Sequence, residues 1–126
     1  MDKKILITED DEFLRELAAT KLIKAGFDVT AVPNGEEAIK QFETGYIPRC
    51  ILLDLMMPGT IDGFGVIEYV RKTDTIKTLP IITFSNLADD ESIMKAKNLG
   101  ANDFMIKSNF TLDELVQKVE EIIKGQ

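Results

Sequence analysis

The stretch CILLDLMMPG, Cys50 to Gly59, decides how this chain is read. It starts as a run of apolar residues suited to a buried strand, yet it carries one carboxylate, Asp54, near its C-terminal end. An isolated ionised group in a dry interior is costly enough that it shifts its pKa or finds a partner. Asp54 must therefore reach the edge of a sheet or be compensated there, and the flanking segments show how.

Outward from this stretch the chain alternates between short β-branched runs and helical periodicities. KKILIT (Lys3 to Thr8) reads as a first strand. In Glu12 to Ala25, Leu14, Ala18, Leu22 and Ala25 recur at helical spacing, and Gly26 is placed to end the helix. FDVTAV is a second strand. Asn34 with Glu37 three residues on is a capping pattern that opens a helix through about Thr44. RCILLDL is the third strand, and Asp62-Gly63 opens a third helix with Val66, Ile67 and Val70 turned inward. LPIITFS (Leu79 to Ser85) follows as strand four, then a helix from about Asp89 to Leu99 stopped by Gly100, and NDFMIK as strand five. Thr111 and Glu114 form a capping box ahead of Leu112, Leu115, Val116, Val119 and Ile123.

Strands separated by helices pair in parallel, because a parallel crossover needs a dozen or so residues, and the helices then cover both faces. The expected class is α/β, one doubly wound five-stranded parallel sheet over residues 1–126. Parallel strands put all their C-terminal ends along one rim, where open α/β sheets bind ligands. Strand one ends in Thr8-Glu9-Asp10-Asp11, strand three in Asp54, strand four in Ser85-Asn86 and strand five in Lys107. Strand two ends in Pro33 and Asn34, which are turn chemistry. Like charges about 4 Å apart repel by roughly 4 kcal/mol at an effective dielectric near 20, so positive charge belongs among these acids. Lys107 supplies one amine. An oxygen-only set with one lysine suits Mg²⁺ and a phosphoryl group, whereas Ca²⁺ ordinarily takes more protein ligands. Asp10 and Asp11 are each also placed to cap the first helix.

Composition narrows the function classes. With 44% hydrophobic and 29% charged residues and no apolar stretch near ~20 residues, the chain reads as a globular protein without membrane insertion. Its N-terminus lacks the apolar core of a signal peptide, so a cytoplasmic location is expected. A net charge of −7 argues against direct nucleic-acid binding. The single cysteine, Cys50, reads as a buried, inert thiol. There are no histidines, which removes Ser-His-Asp and Cys-His catalysis and His-based zinc sites.

The motifs ILITEDD, ILLDLMMPG, DGF, IITFSN and GANDFMIK together resemble the response-regulator receiver domains of bacterial two-component systems, from Lys3 to Ile123, in a stand-alone, chemotaxis-regulator-like form. The resemblance implies a flavodoxin-like sheet of order 2-1-3-4-5. It implies Asp54 as phosphoacceptor, with Mg²⁺ held by Glu9, Asp10, Asp54 and the backbone carbonyl of Met56. Lys107 would contact the phosphoryl oxygens, Ser85 would be the hydroxyl that moves to meet them, and Phe104 the aromatic that rotates. The donor would be a phosphohistidine on a histidine kinase or histidine phosphotransfer protein, and the output an altered contact with a downstream protein through the fourth helix, fifth strand and fifth helix. Such a chain is no enzyme beyond its own phosphoryl transfer and slow self-dephosphorylation.

Three departures mark this sequence. Thr60-Ile61 before Asp62-Gly63 makes the loop after Pro58-Gly59 one residue longer than the family's usual spacing. Ser108 stands where the family usually has a proline, often cis; a non-proline cis bond costs about 2.5–4 kcal/mol, so a trans bond is expected. Ser85 replaces the commoner Thr. Met56 and Leu87 are apolar where fast self-dephosphorylating relatives often carry polar groups, which implies a long-lived phosphorylated state. Competing readings are a Mg²⁺-dependent phosphohydrolase with an aspartyl intermediate, which usually has an Asp-x-Asp after strand one that EDDEF lacks, and an interaction module that is never phosphorylated. A flavin carrier would need a phosphate cradle where Glu9, Asp10 and Asp11 repel one.

Overall fold

The computed structural model describes residues 2–125. Its elements are β1 (Lys4–Thr8), α1 (Glu12–Lys24), β2 (Asp28–Val32), α2 (Gly35–Glu43), β3 (Cys50–Leu53), α3 (Gly63–Lys72), β4 (Ile81–Ser85), α4 (Asp90–Leu99), β5 (Asp103–Ile106) and α5 (Leu112–Lys124), with a 3-10 turn at Lys107–Asn109. Neighbouring strands pair in parallel in the order β2-β1-β3-β4-β5. This is the doubly wound topology that the alternation implied.

Each helix starts on a side-chain cap. Asp11, Asn34, Asp62, Asp89 and Thr111 accept from the amide three residues on, satisfying a donor that the first helical turn leaves free. The reciprocal box forms at Thr111 and Glu114; at Asn34 the second half goes elsewhere, since Glu37 pairs with Lys40 at 3.2 Å. Gly26, at φ +98, follows the cap residue Ala25. Ala25 itself is exposed because α1 has already ended, while Ala18 and Leu22 are buried.

Alternation along the strands sorts side chains between two faces. Ile5, Ile7, Cys50, Leu52, Ile82, Phe84 and Met105 pack under α1 and α5 with Ala18, Leu22, Leu115 and Val119. Leu6, Ile51, Leu53 and Ile81 pack on the other side, under α2, α3 and α4, with Ala38, Phe42, Val66, Ile67, Val70 and Ala96. Burying both faces is what makes the central strands apolar throughout. No helix among the described residues is long and apolar enough to cross a membrane.

The rim at the strands' N-terminal ends is tied by Arg71, from the last turn of α3. Its guanidinium donates to the carbonyls of Gly100 (2.7 Å), Leu79 (2.7 Å) and Lys77 (3.1 Å) and to Asn102 Oδ1 (2.8 Å). Asn102 Oδ1 also accepts from the Ile81 amide at 2.8 Å. Burial holds the Arg71 pKa below its ordinary value, yet five planar donors reading carbonyls in a fixed fork suit arginine.

Candidate functional site

The site forms at the opposite rim, where the sheet ladder runs one residue past the strands. The Glu9 amide donates to the Val32 carbonyl and the Asp54 amide to the Thr8 carbonyl, each at 3.0 Å. Residue parity then fixes direction for two side chains, Glu9 continuing the face of Ile5 and Ile7 and Asp54 that of Cys50 and Leu52, while Lys107 enters from the turn just past β5. All three reach one place. Lys107 Nζ lies 2.7 Å from Glu9 Oε1 and 3.0 Å from Asp54 Oδ2. Glu9 and Asp54 are only 4% and 5% exposed, so the amine is their compensation in a region where an unpaired charge is expensive.

The sequence left open which of Asp10 and Asp11 caps α1. Asp11 does so, its Oδ1 accepting from the Leu14 amide at 3.0 Å, which leaves Asp10 to the acid cluster. Glu9, Asp10 and Asp54 each present an oxygen, all within 4.8 Å of one another. Ligands on opposite sides of a Mg²⁺ ion lie about 4 Å apart, so this hard-oxygen set fits such an ion with little closure, and the exposed Asp10 leaves water access.

Asp54 is oriented at both oxygens: Oδ2 meets Lys107, and Oδ1 accepts from the Met56 amide at 3.1 Å. The chain can turn back this tightly because Gly63 opens α3 against the end of β3. A methyl group there would collide with the Asp54 carbonyl and the Leu55 α-carbon, which gives Gly63 of the DGF motif a packing reason.

Burial pushes the Glu9 carboxyl up to about 7; Asp54 adds to this, and the Lys107 amine opposes it. Burial works against the charged Lys107, but Glu9 and Asp54 outweigh it, and its pKa rises.

Ser85 and Phe104 are held by contacts of their own. Ser85 ends β4, is buried, and its hydroxyl accepts from the Leu87 amide at 3.2 Å. Phe104, paired with Thr83, packs half-buried against the α2–α4 side of the core. Alternation places Ser85, in step with Ile81, and Phe104 on the α2–α4 face of the sheet, and Glu9 and Asp54 on the α1–α5 face.

Lys107 does not end β5 as expected; the strand stops at Ile106 and Lys107 opens the 3-10 turn. The bond to Ser108 is trans, with no cis peptide among the described residues, and Lys107 reaches both carboxylates all the same. Ser108 uses the N–H that a proline lacks, donating to Asn86 Oδ1 at 3.1 Å. This ties the loops after β4 and β5 together.

Sequence reasoning missed two residues here. Arg15 donates to the Glu9 carbonyl at 2.9 Å, bracing the acidic turn from α1; a basic residue in the second turn of a helix that follows three acids was the available signal. Glu36, from the first turn of α2, accepts from the Ile61 amide at 2.9 Å, across 25 residues that carry no local cue.

Comparison with known proteins follows the same lines. A family model described as response regulator receiver domain matches residues 5–120. A probable transcriptional regulator, ycf27, of Cyanidium caldarium is 38% identical over 120 residues, 95% of this chain and 46% of the relative. The alkaline phosphatase synthesis transcriptional regulatory protein PhoP of Bacillus subtilis is 35% identical over 126 residues, 98% of this chain and 50% of the relative. This chain thus spans about half the length of these curated relatives. Among solved structures, a putative response regulator from Chloroflexus aurantiacus superimposes with a TM-score of 0.88 at 32% identity, covering 98% of this chain and 99% of that one.

Proposed function

We propose, from the premise that this chain belongs to the response regulator receiver domain family, that residues 1–126 form one receiver domain whose Asp54 takes the phosphoryl group. The chain is a phosphorylation-activated switch of two-component signalling. The observation that carries the assignment of Asp54 is Lys107 Nζ bridging two buried carboxylates, Glu9 and Asp54, with Asp10 beside them.

A carboxylate approaches a phosphoryl group against charge repulsion, so the site must supply positive charge and fix an in-line approach. Glu9, Asp10, Asp54 and the Met56 carbonyl would hold Mg²⁺, and the chemistry it would supply is electrostatic neutralisation of the phosphoryl oxygens. The chain's own residues do the rest. The Met56 amide and Lys107 hold the Asp54 carboxylate in one orientation. An Asp54 oxygen forms the P–O bond as the P–N bond of the donor phosphohistidine breaks, and the imidazole nitrogen keeps the electron pair. Lys107 then transfers its contacts to phosphoryl oxygens. The donor is a histidine kinase or histidine phosphotransfer protein acting in the cytoplasm.

The acyl phosphate offers strong acceptors absent from the free carboxylate. Ser85, whose hydroxyl accepts from the Leu87 amide, turns its O–H to donate to a phosphoryl oxygen, and Phe104 turns into the space this opens. A group that binds one state better shifts a pre-existing equilibrium toward it, and the α4, β5 and α5 surface presents the result to a downstream protein. Apolar Met56 and Leu87 leave no side chain to position a hydrolytic water, so self-dephosphorylation is slow.

The test is incubation with Mg²⁺ and acetyl phosphate, followed by peptide mass mapping. One phosphoryl group on Asp54, lost in Asp54→Asn and dependent on Mg²⁺, is expected. Label on another residue, or none, refutes the assignment, and steady release of phosphate from substrate excess would instead indicate a phosphohydrolase.

A further inference from the structure

The loop from Leu55 to Asp62, which carries Met56, contains the extra residue of this sequence, and it is fastened on its far side by α2. Glu36 Oε1 accepts from the Ile61 amide at 2.9 Å. The same carboxylate lies over the α-carbon of Gly59: a methyl group on Gly59 would fall 2.5 Å from Glu36 Oε2 and 3.1 Å from Oε1. Gly59 sits at φ +104, in the left-handed region that favours glycine. Ile61 is wedged in turn between two glycines, packing on Gly35 at the start of α2 and on Gly65 in α3. At its near side the loop is closed by the Gly63 amide, which donates to the Leu55 carbonyl at 3.1 Å. Met56 lies between these two fastenings, exposed in its side chain, with its amide on Asp54 Oδ1.

We propose that Glu36 is a positioning residue for phosphoryl transfer, holding the Gly59–Ile61 backbone so that the Met56 main chain orients Asp54 and completes the metal site. The proposal rests on the reading of Asp54 and Mg²⁺ given above. Glu36 touches neither phosphoryl group nor metal; it acts through the loop. A longer loop samples more conformations, and an anchor that removes them lowers the cost of ordering Met56 when the ion binds. What the anchor needs is an acceptor oxygen at the end of a side chain long enough to reach Ile61.

Reach and charge separate cleanly in three variants. Glu36→Gln keeps reach and an acceptor but loses charge; Glu36→Asp keeps the charge at the start of α2 but is one methylene short; Glu36→Ala loses both. Labelling of Asp54 by acetyl phosphate is followed against Mg²⁺ concentration, with the Met56 amide read by NMR as Mg²⁺ alone is added. Glu36→Asp and Glu36→Ala are expected to raise half-saturating Mg²⁺ about tenfold, as loss of a supporting contact behind a metal ligand does, with the rate at saturation little changed, while Glu36→Gln stays within about twofold of wild type. A carboxylate that only stabilised the helix dipole would reverse the order, with Glu36→Asp near wild type and Glu36→Gln impaired, and that order overturns the proposal. So does wild-type Mg²⁺ dependence in all three. If Glu36→Ala does not fold, the Gln and Asp variants still decide. A wild-type chain that takes no label overturns the underlying reading and this one with it; a labelled wild type with a flat series overturns this one alone.

Discussion

Replacing Lys107 with methionine keeps most of the apolar stem and removes the amine. Two carboxylates, 4% and 5% exposed, then face one another with ligand oxygens within 4.8 Å. At an effective dielectric near 20, that separation corresponds to about 3.5 kcal/mol of repulsion, close to the roughly 3–5 kcal/mol seen when one partner of a buried ion pair is deleted. Protonation gives an escape. The Glu9 carboxyl is raised from 4.5 to about 7 even with the amine present, and loss of Lys107 raises it further. A carboxyl raised in the folded state contributes stability that is fully present below its unfolded value and lost as pH rises through its folded one. Metal-free Lys107→Met should therefore be about 2–4 kcal/mol less stable than wild type at pH 8 and distinctly less impaired at pH 6. With urea slopes of about 1–3 kcal/mol per molar, the midpoint falls by on the order of 1–2 M at pH 8. Urea unfolding in EDTA at the two pH values, repeated with Mg²⁺, is the assay. Mg²⁺ should recover much of the loss. A metal-free variant as stable as wild type at pH 8 would show that these acids do not need the amine, and the electrostatic account of the site would fail.

Three further outcomes follow from the same geometry. Removing a metal ligand in Asp10→Asn should weaken Mg²⁺ about tenfold, so that thermal stabilisation by saturating Mg²⁺ shrinks by about 1.4 kcal/mol; an unchanged shift would place the ion elsewhere. Gly63→Ala sets a methyl group against the Asp54 carbonyl and Leu55, where neither backbone can yield, and a loss of about 2–3 kcal/mol is expected in denaturant unfolding; a loss under 1 kcal/mol, on the order of a tolerated packing change, would mean that α3 is free to retreat. Met56→Asn gives the exposed position beside the acceptor a polar group able to hold water, and the phosphoryl label should decay faster than in wild type. A wild-type lifetime of seconds that the substitution leaves unchanged would contradict the slow-decay reading.

The sheet was legible because its signals are local or periodic. Apolar runs bounded by caps at Asp62, Asp89 and Thr111 gave the elements, and the need for parallel crossovers put Glu9, Asp54 and Lys107 at one rim. Alternation of two then explains why Glu9 and Asp54 share a face that Ser85 and Phe104 do not. Asp10 and Asp11 could not be separated from sequence, since each stands three residues before a possible first-turn amide; only the path of the chain assigns the cap to Asp11. Lys107 was placed on a strand it just leaves, a one-residue difference at an element end. Glu36 and Ile61, or Arg71 and Gly100, meet across 25 and 29 residues, and side chain to main chain bonds at that distance leave no trace in composition or spacing. The Ser108 to Asn86 bond was hidden differently: the sequence showed that a proline was missing, but not that the amide so released would find an acceptor.

The Arg71 clamp has a bearing on which sequences this fold tolerates. It grips mostly carbonyl oxygens, and every amino acid carries one. Positions 77 and 79 can therefore drift without loosening the joint, whereas position 100 cannot, because a methyl group on Gly100 would fall 2.7 Å from Arg71 Nε, and position 102 must keep its amide oxygen. The joint at this rim therefore depends on side-chain identity at only two of the four positions Arg71 grips, Gly100 and Asn102.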